Sequence, residues 1–344
     1  MYLEASQYNV LSYIGCGSDH TIYKVENSLT QELCAIKIEK SAGIGQIKNE
    51  IEMLKKLQGI SGIPELKSYG ITSDNKLFII VPLFQYNLKE VAKEKQLSLS
   101  QILRIGLRMT EILENIHCNN VLHLDLKPEN IMFSKQIQDD QNTIKPEIIQ
   151  LIDFGLSQKF NQNSTFLKDT FIGSLSFASR QSHNGEQLGF KDDLESLIYI
   201  LVYLRNQKLP WLQKPSWGCK KVDIQIIGKV KTFHYNSQTL YSNFPLGFQD
   251  IMQYIDTLKY YVMPDYSYIK SLFLKMLQPY SSFFQTKQIS SFQNVINTSI
   301  ILYNPNEQNS EEDIISCETK YVLISKVISK YATNQIKSIS HIQS

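Results

Sequence analysis

Short apolar stretches broken by polar residues and glycine fill most of the first ninety residues. Five short runs, 10–16, 21–26, 33–40, 66–71 and 76–81, are rich in β-branched and aromatic residues and are separated by Gly, Asn, Asp or Ser, which predicts strands. One segment, 46–58, breaks this rhythm. Ile47, Ile51, Leu54 and Leu57 recur at helical spacing, and Gly59 follows as a C-terminal stop. From residue 99 the helical period takes over, with Ile102, Ile105, Met109, Ile112, Leu113 and Ile116 on one face. Two strand-like runs follow at 131–133 and 148–152, then predicted helices at 191–205, 247–260 and 266–277. A strand-rich front and a helix-rich back make an α+β chain of two lobes.

The polar stretch 134–146 reads as a surface insertion, and from about residue 281 the chain shifts to Ser, Gln and Asn. This tail, 281–344, is expected to be partly disordered, with one amphipathic segment at 321–331. The longest apolar run, 197–204, is far short of the roughly 20 residues that cross a bilayer, so it predicts a buried helix and no membrane span.

Composition narrows the class. The 344 residues are 42% hydrophobic and 20% charged, as in globular proteins. Thirty-five basic residues face 33 acidic ones, for a net charge of +2, so no nucleic-acid footprint is present. Arginine occurs at only four positions, Arg104, Arg108, Arg180 and Arg205, which leaves phosphate recognition to lysine, backbone N–H groups or metal. Five scattered cysteines form no C-x-x-C pair, and the N-terminus carries no secretory signal, which points to a reducing cytoplasmic or nuclear compartment.

Chemistry concentrates at four places. Gly15-Cys16-Gly17 lies between two predicted strands, where glycines let backbone N–H groups approach a phosphate; by itself the same trio also reads as an ordinary hairpin turn. In the third strand Ala35, Lys37 and Glu39 share one face. Glu50 falls inside the apolar stripe of the following helix, so it either pairs with Lys37 or reaches water from the stripe's edge. In the segment 123–130, His-Leu-Asp-Leu-Lys-Pro-Glu-Asn, Asp125 can accept a hydrogen bond from an incoming hydroxyl. Lys127 can neutralise a transferring phosphoryl group there, and Asn130 can offer Mg²⁺ a neutral oxygen. Leu151-Ile152-Asp153-Phe154-Gly155 places a hard oxygen ligand, Asp153, at a strand end 28 residues after Asp125.

In this order the four sites resemble the signature of eukaryotic protein kinases. The resemblance runs from about residue 8 to 277, within a domain taken as 8–280, and is nearest to the casein kinase 1 group, of which the chain looks like a divergent member. Ser174-Leu175-Ser176-Phe177-Ala178-Ser179 and Lys191-Asp192-Asp193-Leu194-Glu195-Ser196-Leu197 stand where that group has its counterpart of Ala-Pro-Glu and the helix after it. Leu209-Pro210-Trp211 and Pro264-Asp265-Tyr266-Ser267-Tyr268 match further on.

The resemblance implies a bilobal fold, with a small antiparallel sheet and one main helix over about 8–82 and a mostly helical lobe over about 86–280. ATP and Mg²⁺ would lie in the cleft between them. It implies that Lys37 holds the α/β-phosphates and pairs with Glu50, that Asp125 is the catalytic base and that Lys127 contacts the γ-phosphate. Asn130 and Asp153 would bind the metal, and Ser174 would bridge Asp125 and Lys127. Asp193 would brace the catalytic loop. Ile14, Gly15, Gly17, Ile22, Ala35, the gatekeeper Val81, and Leu83 and Phe84 of the hinge would surround the nucleotide. The implied activity is transfer of the ATP γ-phosphate to Ser/Thr hydroxyls of protein substrates by a monomeric enzyme.

Departures from the pattern carry further expectations. His20 stands where the third glycine of the loop usually is and should stiffen it beside the phosphates. Leu124 replaces the arginine that normally pairs with a phosphorylated activation loop, which predicts activity without that modification. Ser176 and Asp223 replace basic residues that bind a substrate phosphate, with Lys220 and Lys221 close by. The alternative reading of these departures is a pseudokinase that binds partners without catalysis. Acidic residues follow Ser310, a pattern that suits a regulatory tail.

Overall fold

The structure is a computed structural model that describes residues 7–41, 45–134, 149–161, 169–212, 224–237 and 239–280. The polar stretch 135–148, the tail, Lys220, Lys221, Asp223 and Ser310 lie outside the described residues.

The five β-branched and aromatic runs become β1 (Tyr8–Cys16), β2 (His20–Asn27), β3 (Leu33–Glu39), β4 (Ser68–Ile71) and β5 (Leu77–Pro82). They form one antiparallel sheet in the order β1-β2-β3-β5-β4. Alternation sorts the two faces of the sheet. Val25, Cys34, Ile36, Phe78 and Ile80 make a small core on one side, whereas Ile79, paired with Lys37, joins the main core on the other. Helix α1 (Gln46–Leu57) covers that second face with Ile47, Ile51, Leu54 and Leu57. β4 starts two residues later than the apolar pattern predicts. The Gln58 side chain binds the Pro64 carbonyl and the Leu66 N–H, and so holds this stretch out of the sheet.

The second lobe is built on α3 (Leu99–Cys118) and α5 (Phe190–Asn206), which pack together in the main core. It also contains α2 (Leu88–Glu94), α4 (Arg180–His183), α6 (Ile224–Asn236), α7 (Leu246–Thr257) and α8 (266–280). Asn87 and Ser98 cap α2 and α3, each in a reciprocal capping box. The apolar run 197–204 is the buried centre of α5, and no described helix is long and apolar enough to cross a membrane. Four short strands complete the lobe: β6 (Tyr86–Asn87), β7 (Val121–Leu122), β8 (Ile131–Phe133) and β9 (Ile149–Leu151). A fifth, β10 (Gln158–Lys159), pairs with β7.

Sequence periodicity missed α2, α4 and α6. α2 and α4 are too short to show a stripe. In α6 the buried face includes Gly228 and Lys231, so its apolar stripe is broken by a charge.

Candidate active site

Lys37 lies mid-strand in β3, opposite Ile22 on one side and Ile79 on the other, so its side chain leaves the sheet on the face that α1 covers. There its ammonium donates to Glu50 Oε2 at 2.7 Å and to Asp153 Oδ1 at 2.7 Å. Glu50 therefore takes the first of its two readings: it is buried and paired. Burial pushes the Glu50 carboxyl up, opposed by the Lys37 charge. For Lys37, burial acts downward, but the two carboxylates win and its ammonium is held well above the usual lysine range. Lys37 likewise holds Asp153 well below the usual carboxylate range against the cost of its burial.

Asp153 takes a left-handed backbone conformation, φ 66°, which turns the chain between β9 and Phe154. Phe154 is fully buried and stands edge-on to the His123 ring, 4.9 Å between centroids. Asn49, one residue before Glu50, donates to the carbonyls of Phe154, Gly155 and Ser157. Nothing in the sequence pattern singled out Asn49; the contact depends on how α1 docks.

Asp125 sits between β7 and β8. Ser174 Oγ donates to its Oδ1 at 2.7 Å, and Lys127 Nζ to its Oδ2 at 2.5 Å. The Asn130 amide donates to the Asp125 carbonyl at 2.9 Å, which leaves Asn130 Oδ1 available as a neutral oxygen ligand. Ile152 N–H donates to the Asn130 carbonyl, continuing the β8–β9 pairing, so Asn130 and Asp153 stand at adjacent chain ends. An acid and an amide suit a hard divalent ion such as Mg²⁺, which is held by one or two protein oxygens with phosphates supplying the rest.

The loop is braced from below by Asp193 on α5. Its carboxylate accepts the N–H groups of His123 and Leu124, each at 2.8 Å, and bonds His117 Nε2 at 2.9 Å. Those bonds hold the fully buried Asp193 below the usual carboxylate range despite desolvation. His117 Nδ1 bonds in turn to the Tyr266 hydroxyl, a partner that the sequence did not indicate.

The nucleotide-facing positions come together less uniformly. Ile22 pairs with Gly15 and Lys37, and Ala35 pairs with Val81. Leu83 and Phe84 follow β5 and are half-buried. Ile14 occupies the irregularity between the Tyr13 and Gly15 pairings of β1 and is 48% exposed. The His20 ring packs on Gly17, where an added Cβ would stand 2.4 Å from the imidazole Cε1. Lys40 Nζ fastens the same turn by donating to the Gly17 and Ser18 carbonyls at 2.6 and 3.2 Å. Burial and the nearby Lys37 charge push the His20 imidazole down to about 4, so it is neutral at pH 7.

A paired lysine and glutamate, an aspartate facing that lysine, and an aspartate–lysine–asparagine loop form the phosphoryl-transfer arrangement. A protein kinase domain model matches residues 8–283. The chain belongs to the protein kinase family. Over 286 residues the kinase is 28% identical to a probable casein kinase I homolog of Encephalitozoon cuniculi (strain GB-M1), a match covering 79% of this chain and 86% of that relative. It is also 30% identical over 275 residues to a probable serine/threonine-protein kinase of Dictyostelium discoideum, covering 77% of this chain. The match takes in 52% of the Dictyostelium protein, so this kinase spans about half its length. The five-stranded sheet and helical second lobe are the two lobes of the kinase fold, whose cleft binds ATP.

Proposed function

We propose that this kinase is a serine/threonine kinase of casein kinase 1 type that works without phosphorylation of its activation segment. The observation that carries the reading is the pair of hydrogen bonds that the Lys37 ammonium donates to Glu50 and Asp153, made while Ser174 and Lys127 both hold Asp125. Lys37 would bind the α/β-phosphates, Asp125 would orient the substrate hydroxyl and take its proton, and Lys127 would balance charge on the transferring group. Asn130 and Asp153 would hold Mg²⁺, which supplies charge neutralisation at the phosphates when bound.

Apolar packing supports independence from phosphorylation. Where an arginine would await a phosphate, buried Leu124 clusters with Leu122, Leu188 and Phe190, against Phe160 and Ile172 of the activation segment. That cluster can fix the segment by hydrophobic contact alone. Ser176 and Asp223 offer no cation for a substrate phosphate, so unprimed Ser/Thr sites are the proposed substrates, and the kinase is taken to act as a monomer.

The test is transfer from labelled ATP with Mg²⁺ to arrays of Ser, Thr and Tyr peptides, primed and unprimed. Unprimed Ser/Thr peptides should be labelled, phosphatase pretreatment should leave the rate within about twofold, and Asp125→Asn and Asp153→Asn should abolish labelling. Wild-type rates in Asp153→Asn would end the catalytic reading. Strict dependence on primed peptides or on prior phosphorylation would end the finer one.

A further inference from the structure

Lys231 is fully buried in α6, and its ammonium meets no carboxylate among the described residues. It donates instead to two backbone carbonyls, Leu175 O at 2.9 Å and Ala178 O at 2.6 Å. The rings of Tyr199 and Trp211 flank it, with centroids 5.1 and 5.3 Å from Nζ. The acid whose charge acts on it, Glu195 on α5, is already occupied by the Arg180 guanidinium and N–H and by the Tyr199 hydroxyl. His183 on α4 also faces this charge, and burial and Lys231 together push its imidazole down to about 4, so it brings no second charge at pH 7.

The carbonyls that Lys231 grips belong to one closed turn. Phe177 and Ala178 N–H groups both donate to the Ser174 carbonyl, at 3.0 and 2.8 Å. Trp211 Nε1 donates to the Ser176 carbonyl at 2.8 Å. Ser174, at the head of the turn, donates its hydroxyl to Asp125, and the Leu175 side chain beside it is exposed. A continuous chain of hydrogen bonds therefore runs from Lys231 through Ala178 and Ser174 to Asp125.

We infer that Lys231 is a positioning residue for the phosphoacceptor: through the turn 174–178 it sets the peptide-facing surface against Asp125, and it does so fully only as the ammonium. The inference rests on the assignment of Asp125 as the base and adds a pH-dependent grip on the protein substrate. Charge-assisted bonds to carbonyls are about twice as strong as neutral ones, so losing the proton loosens the turn without removing every donor. Burial pushes the Lys231 amine down to about 7, which brings this loss into the neutral range. Because the fold lowers this pKa, the unfolded chain binds the proton more readily between about pH 7 and 10.5, and this group's contribution to stability rises with pH there. Substrate grip and fold stability thus move in opposite directions, which a purely structural lysine would not produce.

The experiment compares wild type with Lys231→Met at pH 6.5, 7.5 and 8.5. Peptide KM, the Kd of a non-hydrolysable ATP analogue and Tm are measured at each pH. Wild-type peptide KM should rise about fivefold across the range, while Lys231→Met shows the high value throughout. The analogue Kd should match in both proteins at each pH. The Tm of wild type relative to the variant should climb as KM climbs. Lys231→Gln, which keeps a donor and drops the charge, serves the same comparison if the Met protein melts near assay temperature. Identical KM profiles in wild type and variants would overturn the inference, as would KM, Kd and Tm deteriorating together. Asp125→Asn, run alongside, separates the two levels: if that protein transfers phosphate at the wild-type rate, the assignment of the base has failed instead.

Discussion

The side-chain amide of Asn49 donates to the backbone carbonyl of Ser157 at 2.7 Å and lies within bonding range of the Gly155 and Phe154 carbonyls at 3.0 and 3.3 Å. One residue of α1 thus pins the loop that follows Asp153, while its neighbour Glu50 fixes Lys37. Replacing Asn49 with Leu leaves these half-buried carbonyls without their donor, at a cost of about 1–3 kcal/mol. Denaturant unfolding should show that loss. Binding of an ATP analogue with Mg²⁺ should weaken more than binding without it, because Asp153 moves with the loop.

Gly173 has φ 100°, and a Cβ there would stand 2.6 Å from the Leu124 carbonyl oxygen. Gly173→Ala therefore meets both an unfavourable backbone region and a fixed backbone atom. The strain is on the order of 1–3 kcal/mol, measurable as a lowered denaturation midpoint. Ser174 is the next residue, so peptide turnover should fall further than stability alone explains.

Lys37→Met should lower peptide phosphorylation by roughly 10²- to 10³-fold, the usual effect of removing one preorganised charge contact. The pH dependence has a definite sign. Asp153 titrates below its ordinary value of 3.8 in the fold, so its pairing with Lys37 stabilises the protein above about pH 4 and is lost as pH falls below that. Acid titration followed by circular dichroism should show the wild-type advantage over Lys37→Met shrinking as pH falls, because burial pushes up the Glu50 and Asp153 carboxyls that the variant leaves unpaired and they take up protons first.

The His20 imidazole occupies the space under the glycine turn and lies within the electrostatic reach of Lys37 and Asp153. His20→Gly should tighten ATP-analogue binding about three- to tenfold, or roughly 1 kcal/mol, by clearing that space. Since this ring titrates near 4, calorimetry between pH 6.5 and 8 should find no proton linkage to His20 in the unliganded protein.

The sequence carried the site further than the fold. Asp125, Lys127, Asn130 and Asp153 sit within 29 residues in two loops bounded by apolar strands, and their order and spacing, matched to the kinase signature, singled them out. Glu50 stood in an apolar stripe, and that anomaly alone demanded a partner; the helix axis could not say whether Lys37 would reach it. Asn49, Tyr266 and Lys231 gave no comparable sign. A polar residue on a helix looks solvated until a second element closes over it, and Lys231 even hid its own helix by interrupting the stripe.

By itself, then, the order of residues indicated the two lobes and the strands of the sheet, because each follows from short-range pattern and local residue type, whereas the roles of individual side chains came from resemblance to the kinase signature. Only the tertiary structure decided what those side chains grip. Asn49 on the turn after Asp153 and Lys231 behind the turn 174–178 act across 108 and 53 positions of chain. Contacts at such separation exist only where packing brings distant elements together and strips water from the groups between them.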